Sequence, residues 1–197
     1  MARLMAIRLI KAAEHRRMPW KNGGGETVEI AVDPQGASLA DFDWRISMAT
    51  VAADGPFSAF PGIDRTLSIL DGSGMVLDIE GRTPVRLTVD DAPLHFAADV
   101  ATSATLVGGP ITDLNVMSRR TACSHGVRKL RVAGTERLTS DAETLIVFCH
   151  RGNVRLTTGN DDARLSALDT AISQVSGDML LVSEAPADVF LVEFGKA

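Results

Sequence analysis

The sequence predicts an all-β protein built from many short strands, and three observations support this prediction. Apolar and polar residues alternate with period two along much of the chain, for example from Trp44 to Val51. Turn signals rich in Gly, Pro and Asp separate these segments at even spacing. The two halves of the chain also repeat one order of strands and turns. Together these features are typical of a β-sandwich or barrel.

The composition is that of a globular protein without nucleic-acid or membrane partners. The chain has 197 residues, of which 45% are hydrophobic and 23% charged, so it can bury a sizeable core. Its net charge of −5 argues against binding to a nucleic-acid backbone. No apolar run is long enough for a membrane span, and charges interrupt residues 1–11, where a secretory signal would be apolar. With only Cys123 and Cys149, the sequence predicts a cytoplasmic location.

Runs of alternating or continuous apolar residues predict the individual strands. Turn signals such as Asp33-Pro34, Pro61-Gly62 and Asp71-Gly72 lie between them. Only residues 8–17 and 39–43 are expected to form short helices. The predicted strands span residues 26–32, 44–51, 66–70, 75–79, 85–89, 105–107, 114–117, 127–132, 144–148, 154–157, 179–182 and 189–194.

An internal duplication supports a division into two similar domains. Thr66-Leu67 recurs as Thr144-Leu145, and Arg86-Leu87 recurs as Arg164-Leu165 at the same offset. This period is too long for a solenoid repeat and fits two small all-β domains, each with the rhythm of a jelly-roll half. We expect an N-terminal domain of residues 1–121 that carries a ligand pocket. A C-terminal domain of residues 122–197 is expected to be mainly structural.

The sequence lacks the motifs of several common catalytic classes. It has no Gly-rich loop followed by Lys and Ser or Thr, and no Gly-x-Ser-x-Gly elbow. The histidines, His15, His95, His125 and His150, do not have the spacing of metal ligands. Cys149 and His150 are adjacent on a predicted strand and point to opposite faces. We therefore expect neither a metal nor another cofactor.

The segment from Met18 to Thr27 combines chemically distinct side chains. Trp20, Lys21 and Asn22 supply an apolar face, an ammonium group and an amide, and three glycines follow them. Glycines let the backbone bend sharply and approach other groups closely. One interpretation is a loop that lays these three side chains over a pocket. The other is an exposed loop that leads into the first predicted strand.

Two predicted strands carry rows of polar side chains. Alternation places Arg45 and Ser47 on one face of their strand, and Asp113, Asn115 and Met117 on one face of another. These rows are either exposed to solvent or meet inside a barrel mouth. In the second case they form a concave polar site. Arg45 would then hold a carboxylate, with hydrogen bonds from Ser47 and Asn115.

A further arginine lies close to these rows in the sequence. Arg65 follows Asp64 and the segment from Phe57 to Gly62. Asp64 and Arg65 are interpreted either as an ion pair that shapes the site or as part of a turn.

Four motifs, in order and spacing, resemble the HutD/Ves family. They are Met18-Pro-Trp-Lys-Asn-Gly-Gly-Gly-x-Thr27, Trp44-Arg-Ile-Ser-Met-Ala49, Gly55-Pro-Phe-Ser-x-Phe-Pro-Gly-x-Asp-Arg65 and Asp113-Leu-Asn-Val-Met-x-Arg119. The resemblance implies a bicupin, in which two jelly-roll β-barrels of the RmlC-like cupin type pack together. It also implies that the metal site of metal-binding cupins is missing.

The resemblance also implies a function. HutD proteins have been proposed to regulate histidine utilisation without catalysis, by sensing an anionic pathway intermediate such as N-formylglutamate or urocanate. The partner implied is thus a small anionic metabolite. The motif residues expected to line or support its pocket are Trp20, Lys21, Asn22, Arg45, Ser47, Arg65, Asp113, Asn115 and Met117.

Two other function classes stay open on the sequence. One is a metal-independent cupin enzyme, an isomerase or lyase acting on a small carboxylic acid. Asp113 or Glu29 would be its base and Lys21 its acid. The other is an interaction module or homodimer that uses exposed strand edges.

Overall fold

The structure is a computed structural model that describes residues 7–20, 23–159, 161–174 and 177–197. These residues are predominantly β-strand, which confirms the predicted all-β class, and a short 3₁₀ helix, η1, spans Ala12–Glu14. Within the described ranges no helix is long and apolar enough to cross a membrane. In chain order the strands are β1 (Arg8–Ile10), β2 (Arg16–Pro19), β3 (Gly25–Asp33), β4 (Trp44–Val51), β5 (Gly55–Pro56), β6 (Ile63–Asp71), β7 (Met75–Ile79), β8 (Val85–Leu87), β9 (Leu94–Ala97), β10 (Thr102–Leu106), β11 (Ile111–Arg119), β12 (Cys123–Ser140), β13 (Thr144–Arg151), β14 (Val154–Thr158), β15 (Asp161–Leu165), β16 (Thr170–Ser173) and β17 (Gly177–Lys196).

The two short helices expected from the sequence are not formed. Residues 8–17 contain β1, η1 and the start of β2, and residues 39–43 form turns and a bend. Segments this short cannot nucleate a stable helix, whereas a neighbouring strand supplies hydrogen bonds at once. Strand β1 pairs with β16, and β2 pairs with β3. In the second segment the Asp41 carboxylate accepts hydrogen bonds from the backbone N–H and hydroxyl of Ser38 and fixes a turn.

The chain divides into two compact units. The first unit comprises residues 15–123, and the second comprises residues 7–14 with 124–196. This division corrects the expected N-terminal domain of residues 1–121 at its beginning, because β1 pairs with β16 and therefore belongs to the second unit.

Two sheets form the first unit. One has the strand order β2-β3-β4-β11-β6-β9, and the other has the order β5-β10-β7-β8. From β4 onward the chain passes repeatedly from one sheet to the other. Apolar residues of both sheets form a common core that includes Leu67, Ile69, Leu77, Leu87 and Phe96. This sheet pair provides the frame of the candidate site.

One twisted set of strands forms the second unit. Its order is β1-β16-β13-β17-β14-β15, and β12 pairs with β17. The core includes Val147, Leu156, Leu165, Leu181 and Leu191. The long β17 pairs with β14 through its first part and with β13 through its second part.

The strand pairings of the first unit recur in the second, as the internal duplication predicts. The pairs β6–β9 and β7–β8 correspond to β13–β16 and β14–β15. The pairs β6–β11 and β7–β10 correspond to β13–β17 and β14–β17. A single strand, β17, therefore takes the places of both β10 and β11.

Candidate functional site

A cavity of about 830 Å³ opens on the inner face of the six-stranded sheet of the first unit. This volume is within the range of small-molecule binding sites. We call it the arginine cavity, after Arg45 and Arg65 in its wall. The described residues of the predicted site that line it are Trp20, Arg45, Ser47, Arg65, Asp113, Asn115 and Met117.

The register of three neighbouring strands brings the polar rows together. Ser47 of β4 lies opposite Asn115 of β11, and Arg45 lies opposite Met117. On the other side of β11, Arg65 of β6 also lies opposite Met117. Side chains in register on adjacent strands share a face. The polar rows therefore meet in a concave site and are not exposed to solvent.

Arg45 is held by partners within the protein. Its side chain is 7% exposed, and its Nε donates to Glu29 Oε2 at 2.7 Å. Its Nη1 donates to Ser47 Oγ at 3.3 Å. The sequence predicts that the Arg45 guanidinium holds a ligand carboxylate. In the structure, the Glu29 carboxylate already accepts the hydrogen bond from Arg45 Nε. A register shift between Glu29 and Ala31 on β3 accompanies this arrangement.

Arg65 has no such acidic partner among the residues that the structure describes. The residue is 4% exposed, its Nη2 donates to the Ser58 carbonyl oxygen at 3.3 Å, and its Nε has no hydrogen-bond partner. The guanidinium carbon lies 5.1, 5.5 and 5.8 Å from the ring centres of Phe57, Phe60 and Phe96. Burial lowers the pKa of Arg65 to about 10, so it remains a cation at neutral pH. A buried cation with an unused donor favours an anion beside it.

Asp64 does not pair with Arg65. Both residues belong to β6, where adjacent side chains point to opposite faces. Asp64 instead accepts a hydrogen bond from Arg120 Nε at 2.7 Å. Both interpretations of this dipeptide, an ion pair and a turn, are therefore wrong.

Asp113 is a buried carboxyl group in the cavity wall. The residue is 1% exposed and accepts hydrogen bonds from Asn115 Nδ2 and from the backbone N–H of Ala49. Burial raises its pKa to about 7, although the positive charge of Arg65 acts in the opposite direction. This side chain therefore exchanges a proton near neutral pH.

Trp20 forms part of the wall through a hairpin between β2 and β3. Its backbone N–H donates to the Gly25 carbonyl oxygen at 2.9 Å, and its indole Nε1 donates to Thr27 Oγ1 at 2.8 Å. A Cβ atom on Gly25 would lie 2.1 Å from the Thr50 carbonyl oxygen and 3.0 Å from the indole ring. Glycine is therefore required at the close approach of β3 to Thr50 of β4, and it also leaves room for the Trp20 ring.

The other two members of this predicted cluster, Lys21 and Asn22, lie outside the described residues. Their expected place at the pocket stays a prediction.

Sequence reasoning missed the surroundings of both arginines. The sequence suggests Glu29 only as a base. Thr27 and Glu29 lie two residues apart on one face of β3, and this spacing could have indicated that Glu29 faces the same side as Thr27. Two of the three aromatic contacts of Arg65 come from Phe57 and Phe60, which lie in an irregular segment where alternation does not predict side-chain direction.

The second unit carries a smaller groove of about 600 Å³ along β14, β15 and the middle of β17. Its arginines, Arg155 and Arg164, are exposed, and Arg155 pairs with Asp162 at 3.0 Å. No buried polar group comparable to Arg65 lines the described part of this groove, and we assign no site to it. Across the described ranges, no group of three His, Cys, Asp or Glu side chains could hold a metal ion.

Comparison with solved structures shows that this fold also occurs at very low sequence identity. YhhW from Escherichia coli superposes with a TM-score of 0.73 at 9% identity and covers 98% of this chain and 99% of its own. At this identity the likeness concerns the fold alone, which is cupin-like and all-β.

Nearer relatives share sequence as well as fold. An uncharacterised 21.2 kDa protein in the hutC 3′ region of Pseudomonas putida is 33% identical over 187 residues, which are 95% of this chain and 96% of the relative. Protein Ves of Citrobacter koseri is 39% identical over 142 residues, covering 70% and 71% of the two chains. The structure of HutD from Pseudomonas fluorescens is similar with a TM-score of 0.80 at 32% identity, over 98% of this chain and 100% of its own. The HutD family model matches residues 12–191, and the chain therefore belongs to the HutD family.

Proposed function

We propose that this protein binds a small carboxylate metabolite in the arginine cavity and acts as a non-enzymatic, cytoplasmic regulator of histidine utilisation. The observation that carries the proposal is Arg65. It is a buried cation with an unused Nε donor and no acidic partner among the described residues, and it faces a cavity of metabolite size.

A carboxylate is the ligand group that best satisfies this arginine. Guanidinium groups bind carboxylates through two parallel N–H···O hydrogen bonds. The three phenylalanine rings around Arg65 exclude water, which strengthens such a contact. Arg45 then plays a secondary part, because Glu29 already offsets its charge.

The names of relatives support the link to histidine utilisation. The Pseudomonas fluorescens relative is HutD, and the Pseudomonas putida relative is described by its position in the hutC 3′ region. N-formylglutamate and urocanate, the intermediates that the family resemblance suggests, both carry the carboxylate that Arg65 requires.

We also infer that the two units are the two barrels of a bicupin. In the first unit, strands β4 to β11 fall into the sets β4-β11-β6-β9 and β5-β10-β7-β8, an order typical of a jelly roll. The corresponding pairings of β13 to β17 support the same architecture for the second unit. The cavity would then lie inside the first barrel.

Calorimetric titration of the wild type and of Arg65→Met with N-formylglutamate and urocanate tests the binding function. We expect at least one acid to bind the wild type. Arg65→Met should weaken that binding roughly 10- to 100-fold, because hydrogen bonds to charged groups contribute about 1.5–3 kcal/mol.

The matched control is Arg119→Met. Arg119 also stacks on a phenylalanine, Phe42, at 5.7 Å, but it donates to backbone carbonyl oxygens of Phe42 and Ala40 and does not line the cavity. It should bind like the wild type. Absence of binding by both acids at millimolar concentration, or equal affinity of Arg65→Met, contradicts the proposal.

A second candidate function is metal-independent catalysis on the same carboxylic acid. The observation that favours it is Asp113, a cavity carboxyl whose pKa of about 7 suits proton transfer at neutral pH. Nuclear magnetic resonance spectra of each acid, incubated with the protein, would reveal a product. Turnover that is lost in Asp113→Asn while binding persists would favour the enzyme over the regulator.

A further inference from the structure

We propose that the arginine cavity takes up its anionic ligand together with one proton, which Asp113 holds. This inference rests on the proposed carboxylate-binding function and adds a regulation to it, namely that binding depends on pH. It follows from the position of Asp113 relative to the cation that the ligand would use.

Asp113 and a bound carboxylate would compete for the same positive charge. The Asp113 side chain lines the same cavity as Arg65, and no Lys or Arg of the described residues lies within ion-pair distance of it. Its charge is stabilised by Asn115, by the Ala49 N–H and, at longer range, by Arg65. A ligand carboxylate on Arg65 removes this last support and adds a negative charge nearby.

The charged groups around Asp113 come from each neighbouring element. Strand β6 contributes Arg65, and β4 contributes Arg45, whose charge is offset by Glu29 of β3. At the rim, the carboxylate of Asp54 is exposed and accepts a hydrogen bond from the Leu106 N–H. Its immediate neighbour on the inner face of β11, Asn115, is neutral.

In the ligand-free cavity, these groups keep the protonated and ionised forms of Asp113 close in free energy at neutral pH. Burial favours the protonated carboxyl, and Arg65 favours the carboxylate, which together place the pKa at about 7. A bound anion shifts this balance towards the protonated form. Binding below pH 6 then needs no further proton, whereas binding at pH 8 takes up nearly one.

The affinity of the wild type for N-formylglutamate at pH 6 and pH 8, in two buffers with different ionisation enthalpies, tests this linkage. The carboxyl groups of this probe stay ionised over the whole range, so any proton taken up belongs to the protein. We expect binding at pH 8 to be about tenfold weaker than at pH 6. The buffer dependence should give close to one proton taken up at pH 8 and almost none at pH 6.

Two variants test whether Asp113 holds the proton that is taken up on binding. Asp113→Asn removes the competing charge, so it should show no proton uptake at pH 8 and bind about tenfold more tightly than the wild type there. Glu26→Gln changes a carboxylate of the same sheet that does not line the cavity, and it should keep the pH dependence of the wild type.

The outcomes separate the two proposals. Wild-type binding with equal affinity at both pH values and no proton uptake overturns the linkage and leaves the binding function intact. Proton uptake that persists in Asp113→Asn overturns the assignment to Asp113. If N-formylglutamate does not bind, urocanate is titrated in its place, and absence of binding of both acids at both pH values overturns the proposed function and the linkage together.

Discussion

The two units share their strand pairing but differ in what fills their interior. In the first unit, Asp113 lies opposite Ile69 on the inner face of β11 and contributes to a cavity. In the second unit, the equivalent residues of the repeat are Leu191 and Val147, which face each other in an apolar core. A few inward positions thus decide whether the same framework is hollow or filled.

The ends of the two interiors differ as well. The repeat places Glu143 where the first unit has Arg65, and Glu143 is exposed with Lys196 at 3.6 Å. It places Glu193 where the first unit has Asn115, and Glu193 accepts a hydrogen bond from Ser140 at 2.6 Å. Glu143 and Glu193 thus have partners within the protein, whereas Arg65 keeps a donor unused.

Leu191→Asn should have the largest effect on stability. It removes buried apolar contacts and places an amide among apolar side chains, so we expect the free energy of unfolding to fall by about 3–5 kcal/mol. Urea unfolding followed by circular dichroism at pH 6 measures this loss. Asp113→Asn, at the equivalent position, should change stability by less than about 1 kcal/mol at that pH. Equal losses in both variants would show that the two interiors do not differ as described.

Asp169→Asn tests a buried carboxylate of the second unit. The surroundings of Asp169 lower its pKa, whereas those of Asp113 raise its pKa. Asp169 accepts hydrogen bonds from Lys11 Nζ at 2.8 Å, Ser166 N at 2.9 Å and Ala12 N at 3.0 Å. Burial alone would raise its pKa, but these hydrogen bonds outweigh burial and lower it. At pH 7 the variant should therefore lose about 2 kcal/mol of unfolding free energy.

The pH dependence of that loss shows whether the charge of Asp169 stabilises the folded state. A carboxylate with a lowered pKa stabilises the folded state above its unfolded pKa, and this contribution disappears as pH falls through the folded value. The difference between Asp169→Asn and the wild type should therefore shrink below about pH 4. Asp162→Asn, which affects an exposed ion pair with Arg155, should change stability by less than about 1 kcal/mol. If the loss of stability in Asp169→Asn persists in acid, the effect comes from side-chain packing and not from the carboxylate charge.

The sequence predicts those strands best whose two faces differ in polarity. Trp44–Val51 and Met75–Ile79 alternate clearly between turn signals, and both strands have the predicted bounds. Arg8–Ile10 was not predicted as a strand, because its partner β16 is distant in the sequence. Pro186 suggests a break in the last strand, yet β17 continues across it because β14 and β13 pair with its two parts.

The same distinction holds for the cavity. Alternation predicts that Arg45 shares a face with Ser47, and Asp113 with Asn115, because period two follows from strand geometry. It cannot predict that Glu29 reaches Arg45, since this contact depends on pairing between strands and on a register shift. What each polar group contacts, and hence which cation is left for a ligand, is a property of tertiary structure.

Arg65→Met should have a smaller effect than Asp169→Asn and the opposite sign. Removing a buried cation without an acidic partner should raise the unfolding free energy of the ligand-free protein by about 1 kcal/mol, because methionine fills the space without a desolvation cost. Arg119→Met loses two hydrogen bonds to backbone carbonyls and should be less stable than the wild type. Thermal unfolding of the three proteins makes the comparison. A clear loss of stability in Arg65→Met would mean that Arg65 serves the fold and not a ligand.

The smallest effect concerns the pH dependence of the ligand-free protein through Asp113. Its pKa of about 7 lies above the value in the unfolded chain, so the folded state binds more protons between the two values. Stability should therefore fall as pH rises through 7, by about 1 kcal/mol between pH 6 and pH 8. In Asp113→Asn this fall should vanish, as measured by urea unfolding at the two pH values. The pKa of Asp169 is lowered from its ordinary value, so this carboxylate does not contribute to the difference. A fall that survives in Asp113→Asn would assign the titration to another group.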